Sequence, residues 1–318
     1  MRDTAAIIEQ KGKERKKFKL IKANAHIYIM LIPVILYYLI FAYIPMYGIS
    51  LAFKTYKPGG LYNLLFGGNW NNFEYFKTLF SDPLFFRAFR NTLIISGMNI
   101  LIYFPLVIVF VLMLNELRSV KFKKAIQTIT YMPHFFSWVI IAGIVRQLLT
   151  VNGGVVANML SVFNNGTPVS LMTDPKAFRW VLLVSSTFKE MGWDTIIYLS
   201  ALAGIPMELY EAAEVDGANR FKRMLHITIP GILPTICTVL LLKISFMVNG
   251  SFDQVYMMYN SSVYETGDII ETYLFRAGVT NGEFGYSTAM GLTKAMISGV
   301  LLISCNALSK KVADAGIY

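Results

Sequence analysis

The chain has 318 residues, 55% of them hydrophobic and only 15% charged, with a mean hydropathy of +0.51. Soluble domains carry about 25% charged residues, so this composition excludes a soluble globular protein and indicates an integral membrane protein. The formal net charge of +10 does not point to nucleic acid, because much of it sits in the first 24 residues and not on a basic face.

Residues 1–24 hold Arg2, Lys11, Lys13, Arg15, Lys16, Lys17, Lys19 and Lys22 with no core-forming pattern, and are expected to form a cytoplasmic tail. A basic start followed by an apolar run resembles a secretory signal. The run is too long for one and lacks a small-residue cleavage site, so it reads as a retained first span, 26–50. Residues 51–90 are mixed, with Gly59-Gly60 and Gly67-Gly68 turns, and Ser81-Asp82-Pro83 is a helix start. Residues 92–115 contain no charge and form the second span; 128–149, with Pro133 early and Arg146 late, form the third. Turn signals fill 150–177. Spans four (178–206), five (232–252) and six (289–308) follow, with a polar connector at 207–231 and a tail at 309–318. Cys237 and Cys305 lie inside apolar spans, so neither a disulfide framework nor a metal site is expected.

Six spans put both termini on one side. The segments on that side carry about twice the cations of the opposite loops, which places both tails and the connector in the cytoplasm.

The chain has no phosphate-binding Gly-x-x-x-x-Gly-Lys-Ser/Thr stretch, no His-Glu-x-x-His and no nucleophile elbow, so an enzyme reading has no support. Transport remains, and it needs either an ion gradient or an energy-supplying partner. The connector bears on that choice. Four carboxylates (Glu208, Glu211, Glu214, Asp216) precede Gly217 and three cations (Arg220, Lys222, Arg223), which predicts a short acidic helix, a glycine break, a second helix and Pro230. Its plainer reading is a mere link between spans.

Glu211-Ala212-Ala213, three residues, Gly217, nine residues, Ile227, one residue and Ile229-Pro230 together resemble the EAA signature of type I ABC importer permeases. Ile229 stands where that signature expects leucine. The Asp216-Gly217-Ala218 run is similar to the carbohydrate-uptake branch. Gly192 to Leu199, Tyr43 to Tyr47, and Asn72-Phe73 through Asn91-Thr92 resemble the LplB-like oligosaccharide permeases. The resemblance implies an all-α, six-helix permease of a bacterial cell membrane that moves an oligosaccharide or modified sugar through a pore lined by spans two to five. It implies that the connector is a coupling helix seated in an ATPase, with Glu211, Ala212, Ala213, Asp216 and Gly217 at the joint and Arg220, Ile227 and Pro230 in the arm behind it. It also implies a second homologous permease, two cytoplasmic ATPase subunits that bind the ATP and Mg, and an extracytoplasmic sugar-binding lipoprotein. No cofactor is expected on this chain.

Seven charges fall within spans: Arg146 and Arg179 near their ends, and Lys189, Glu190, Asp194, Lys243 and Lys294 deeper. Ionisable groups at membrane depth are costly and invite a pathway or gating role. Glu190 and Asp194 share a helical face and would suit an ion-coupled carrier, the competing reading. Internal ion pairs with the three lysines are the plainer one. Arg87, Arg90 and Arg276 on the outer side are compatible either with an acidic sugar or with lipid headgroups, and Trp70, Phe73, Tyr75 and Phe76 either with sugar stacking or with anchoring in membrane lipid.

Overall fold

The computed structural model describes residues 23–313 except 56–58, 61, 62, 64–66, 152, 163–166, 168 and 169. The basic residues from Arg2 to Lys22, Lys57, the Asn164-Asn165-Gly166 turn and the side chains of Lys310 and Lys311 lie outside the described residues.

The regular secondary structure of the described residues is helical, with one isolated strand-like bridge between Lys54 and Trp70. Helix α1 (Ala25–Phe53) is apolar on every face. It belongs to a unit ending at Asn72, in which Phe53 and Trp70 stack at 5.7 Å.

The second unit begins at Phe73. It comprises α2 (Glu74–Ser81), α3 (Pro83–Glu116), α4 (Val120–Phe135), α5 (Trp138–Leu149), α6 (Val155–Ser161) and α7 (Pro175–Ala203). Then come α8 (Met207–Val215), α9 (Arg220–Ser245), α10 (Phe252–Met258), α11 (Ile270–Phe275) and α12 (Phe284–Ala313). Among the described residues four helices are long and apolar enough to cross a membrane: α1, α3, α9 and the 284–307 part of α12. The number rises to six if each of two bent pairs counts as one span, α4 with α5 (101°) and α7 with α8 (70°).

Short polar side chains set the helix starts. Asp82 accepts from Leu84 N at 2.9 Å and Asp174 from Lys176 N at 2.9 Å, each ahead of a proline at the first helical position. Prolines also shape the interiors. Wide π turns at Leu39–Tyr43, Asn99–Tyr103 and Met224–Thr228 each precede a proline by the same offset, at Pro45, Pro105 and Pro230. A proline has no N–H and its ring crowds the carbonyl four residues back, and a widened turn relieves both without ending the helix.

The stretch expected as a single third span, 128–149, divides between two helices. After a tight turn at Met132–Phe135, α4 gives way at Phe136 and Ser137 to α5, and the axis turns by 101°. The helices of spans two and five, α3 and α9, begin earlier than their apolar runs, at Pro83 and Arg220, because the capping residues Asp82 and Asn219 lie outside those runs.

Helix α7 is central, packing against α3, α4 and α9. Three apolar clusters surround it and its neighbours, around Phe178 and Leu182, around Tyr198 and Ile232, and around Phe85, Ile270 and Met290. At Gly192 the approach to α4 is so close that a Cβ would overlap the Thr130 carbonyl.

Candidate functional site

Two polar features interrupt this apolar framework. The first is the connector. Helix α8 has no buried residue, and Met207, Leu209 and Val215 are exposed. Glu211, Ala212, Asp216, Gly217, Arg220 and Pro230 are likewise exposed, while Ala213 and Ile227 are half-buried. The helix ends in a Schellman turn: Ala218 N donates to Ala213 O at 2.8 Å and Gly217 N to Glu214 O at 3.1 Å, with Gly217 at φ +75°. Asn219 then caps α9 through Lys222 N at 2.9 Å. Arg223 reaches back to Glu214 at 2.6 Å, and the hydroxyls of Tyr210 and Thr228 meet at 3.0 Å. The acidic helix is therefore braced on both sides of its glycine against the base of a long apolar helix.

The second feature is a cavity of about 390 Å³ among α3, α5, α7 and the end of α9. Asn99, Tyr103, Trp138, Glu190, Asp194 and Lys243 supply its polar and aromatic lining. Asp194 accepts from Tyr103 OH at 2.9 Å and from Lys243 Nζ at 3.0 Å. Glu190 holds Lys189 at 2.7 Å through one oxygen and His134 Nδ1 at 2.6 Å through the other. Lys189 also donates to His134 O at 3.0 Å and lies over the Trp138 ring, while the His134 ring stacks on Trp193 at 4.3 Å. One turn of α7 thus grips both sides of the α4–α5 bend.

Four of the five deeper charges in predicted spans meet here: Lys189, Glu190, Asp194 and Lys243. Lys294 does not join them; it pairs with Glu271 on α11. Sequence reasoning missed Tyr103, Asn99 and His134. The signal for the first two was polarity inside a chargeless span, and His134 gave none beyond being a lone histidine near an apolar run.

Of the arginines expected on the outer side, Arg276 is already committed. It makes a two-pronged pair with the buried Asp268, at 3.2 and 2.6 Å, between the rings of Tyr264 and Tyr273. Burial works against its charge, but the hydrogen bonds and charge of Asp268 outweigh that and raise its pKa. Of the two readings left open for Arg276, acidic sugar or lipid headgroup, neither describes its contacts in the fold, where the cation is held by Asp268. Arg179 is likewise engaged, with Asn91 Oδ1 at 2.8 Å and Thr266 O at 3.1 Å. Among the described residues there is no group of His, Cys, Asp and Glu arranged to hold a metal ion.

A helical bundle with several apolar crossings, a polar cavity at their centre and a braced, exposed connector defines a multi-pass membrane permease. The chain belongs to the family of binding-protein-dependent transport system inner membrane components, whose family model matches residues 84–314. It is an ABC transporter permease. Protein LplB of Bacillus subtilis strain 168 is 42% identical over 298 residues, covering 94% of this chain and 92% of that one. The polygalacturonan/rhamnogalacturonan transport system permease protein YteP of the same strain is 40% identical over 314 residues, 99% of this chain and 96% of that one. Among solved structures, a chain of the bacterial alginate ABC transporter in complex with its alginate pentasaccharide-bound periplasmic protein superposes with a TM-score of 0.84. The two are 38% identical, and the match covers 94% of this chain and 99% of that one.

Proposed function

We propose that the chain is one of two homologous permease subunits of an ATP-driven importer, and that it carries acidic oligosaccharides inward across a bacterial cell membrane with both termini in the cytoplasm. Two cytoplasmic ATPase subunits, holding the ATP and Mg, drive it, and an extracytoplasmic sugar-binding lipoprotein delivers the cargo. The observation that carries the reading is the connector: an exposed helix, closed by Gly217 at φ +75°, continuing directly into α9. Such a helix is a rigid handle whose displacement by an ATPase would move α9 as a body. The uronate polymers in the names of YteP and of the alginate transporter support an acidic cargo. The central cavity, with Lys243 as its cation, supports a passage through this chain.

The competing reading, an ion-coupled carrier working through Glu190 and Asp194, draws no support from the geometry, since each carboxylate already holds a lysine.

The test is Gly217→Val in the assembled transporter. A β-branched residue at positive φ costs about 1–3 kcal/mol of local strain, and nothing lies within 4 Å of the added Cβ to confound the result sterically. Uptake should fall while the variant still inserts and its ATPase still turns over. Normal coupling between hydrolysis and uptake would overturn the assignment, as would uptake by this chain alone that a protonophore abolishes.

A further inference from the structure

A groove of about 560 Å³ runs between α5 and α7 and takes no part in the cavity or the connector. Two exposed stripes at helical spacing form its walls, Ile144 and Leu148 on one side and Trp180, Val184 and Phe188 on the other. Ile141, Val181 and Ser185 form a buried floor, and the Ser185 hydroxyl is satisfied by Val181 O at 2.8 Å. From Trp180 to Phe188 the helix advances about 12 Å. One leaflet, half of a hydrocarbon core about 30 Å thick, is close to that depth.

At one end, where α5 finishes and α7 begins, Leu149 is shared with a second cavity of about 410 Å³ whose lining turns polar. Arg146, Thr150, Ser170 and Thr173 line it. Arg146 is exposed and donates one N–H to Met257 O, which leaves most of its five donors for another acceptor. Among the described residues no carboxylate is ion-paired with it. Trp180 stands near this end, in the second turn of α7, and tryptophan favours the membrane surface.

An apolar channel of about one leaflet's depth, ending at an unpaired guanidinium flanked by hydroxyls, matches an amphiphile with an anionic head. A helix from a neighbouring subunit would account for the apolar stripes but not for the cation at their end. We propose that this groove is a binding site for one anionic glycerophospholipid, with an acyl chain between α5 and α7 and the phosphate on Arg146.

The test uses the complete transporter in detergent, offered equal amounts of a phosphatidylglycerol and a phosphatidylcholine of the same chains, with retained lipid counted by native mass spectrometry. The wild type should keep phosphatidylglycerol about fivefold over phosphatidylcholine, the ratio expected of one cation near a headgroup. Arg146→Gln should abolish the preference with no more than the small fall in Tm that losing the bond to Met257 O brings, and Arg146→Lys should retain it. A photoreactive probe on Val184→Cys should label lipid. Equal retention by the wild type, an intact preference in Arg146→Gln, or labelling of the second permease by the Val184→Cys probe would each overturn the proposal.

Discussion

Tyr210 on α8 and the buried Thr228 in α9 join hydroxyls at 3.0 Å, across the turn that Gly217 makes possible. This bond and the exposed Glu214–Arg223 pair are the side-chain braces between the connector helix and the span it would move. Tyr210→Phe removes the bond while keeping the ring, at a net cost of about 1 kcal/mol. The expected outcome is a small fall in Tm and a larger fall in substrate moved per ATP hydrolysed. Thr228→Val should do the same, and the double variant should be little worse than either single one. Additive losses would show that the two hydroxyls act through other partners.

Gly192 carries a different constraint. A methyl there would overlap the Thr130 carbonyl, so Gly192→Ala must push α4 away from α7. Overpacking of this kind costs about 1–3 kcal/mol. Because the His134–Glu190 contact sits one turn from Gly192 and on the same pair of elements, the shift should loosen it too. The variant should show a lower Tm and faster hydrogen exchange across 131–138, with exchange in α8 unchanged.

The connector was legible in the sequence because charge is conspicuous in an apolar chain and because Gly217 follows a run of helix formers. Both the acidic helix and the glycine break stand where they were expected. The bend between α4 and α5 was not legible: Phe136 and Ser137 look like span residues, and the contacts that hold the turn come from α7, far along the chain. The pairing of Arg276 was not legible for a similar reason. Its partner Asp268 is only eight residues away, yet it is the fold of the intervening turn that aims the carboxylate at the guanidinium. Asn91 and Thr92 stood out as part of a resemblance with no physical role attached. The structure supplies one: Asn91 donates to Glu265 O and Asp268 O at 3.0 Å each, and Thr92 accepts from Ile270 N at 3.0 Å, so the pair fastens the 264–270 segment to α3. Such long-range partners leave no periodic trace.

The Asp194–Lys243 pair invites a double-mutant cycle. Both side chains are about one-third exposed to the cavity, at 29% and 32%, so the pair is partly desolvated and stronger than a surface pair. Lys243→Met leaves Asp194 with Tyr103 alone, and Asp194→Asn leaves Lys243 without its carboxylate. Each single variant should destabilise the protein more than the double one does, with a coupling energy of about 1–3 kcal/mol. Transport should separate the charges: an acidic oligosaccharide should lose more uptake to Lys243→Met than to Asp194→Asn, and a carboxyl-reduced cargo should show no such bias.

Asp82 gives the pH dependence of the 264–275 segment. It caps α3 and also accepts from Tyr273 OH at 2.5 Å and Tyr286 OH at 2.6 Å. Burial alone would raise its pKa. The hydrogen bonds from both tyrosines and from the Leu84 and Phe85 amides outweigh burial and hold it below the usual 3.8. A depressed carboxyl pKa contributes stability that is fully present above the unfolded value and is lost as pH falls through the folded one. Tyr273 has the opposite sense: burial first, then its bond to Asp82, push it up from 10.0 to about 12. Its neutral, donating form is therefore favoured in the fold, and that contribution is complete below pH 10 and fades as pH rises toward 12. Docking of the 264–275 segment should then be flat from about pH 4 to about pH 10, weakening outside both limits. Hydrogen exchange over 264–275 measures this directly. Asp82→Asn should raise exchange there at pH 7 and remove the acid limb, and Tyr273→Phe should remove the alkaline limb contributed by that hydroxyl.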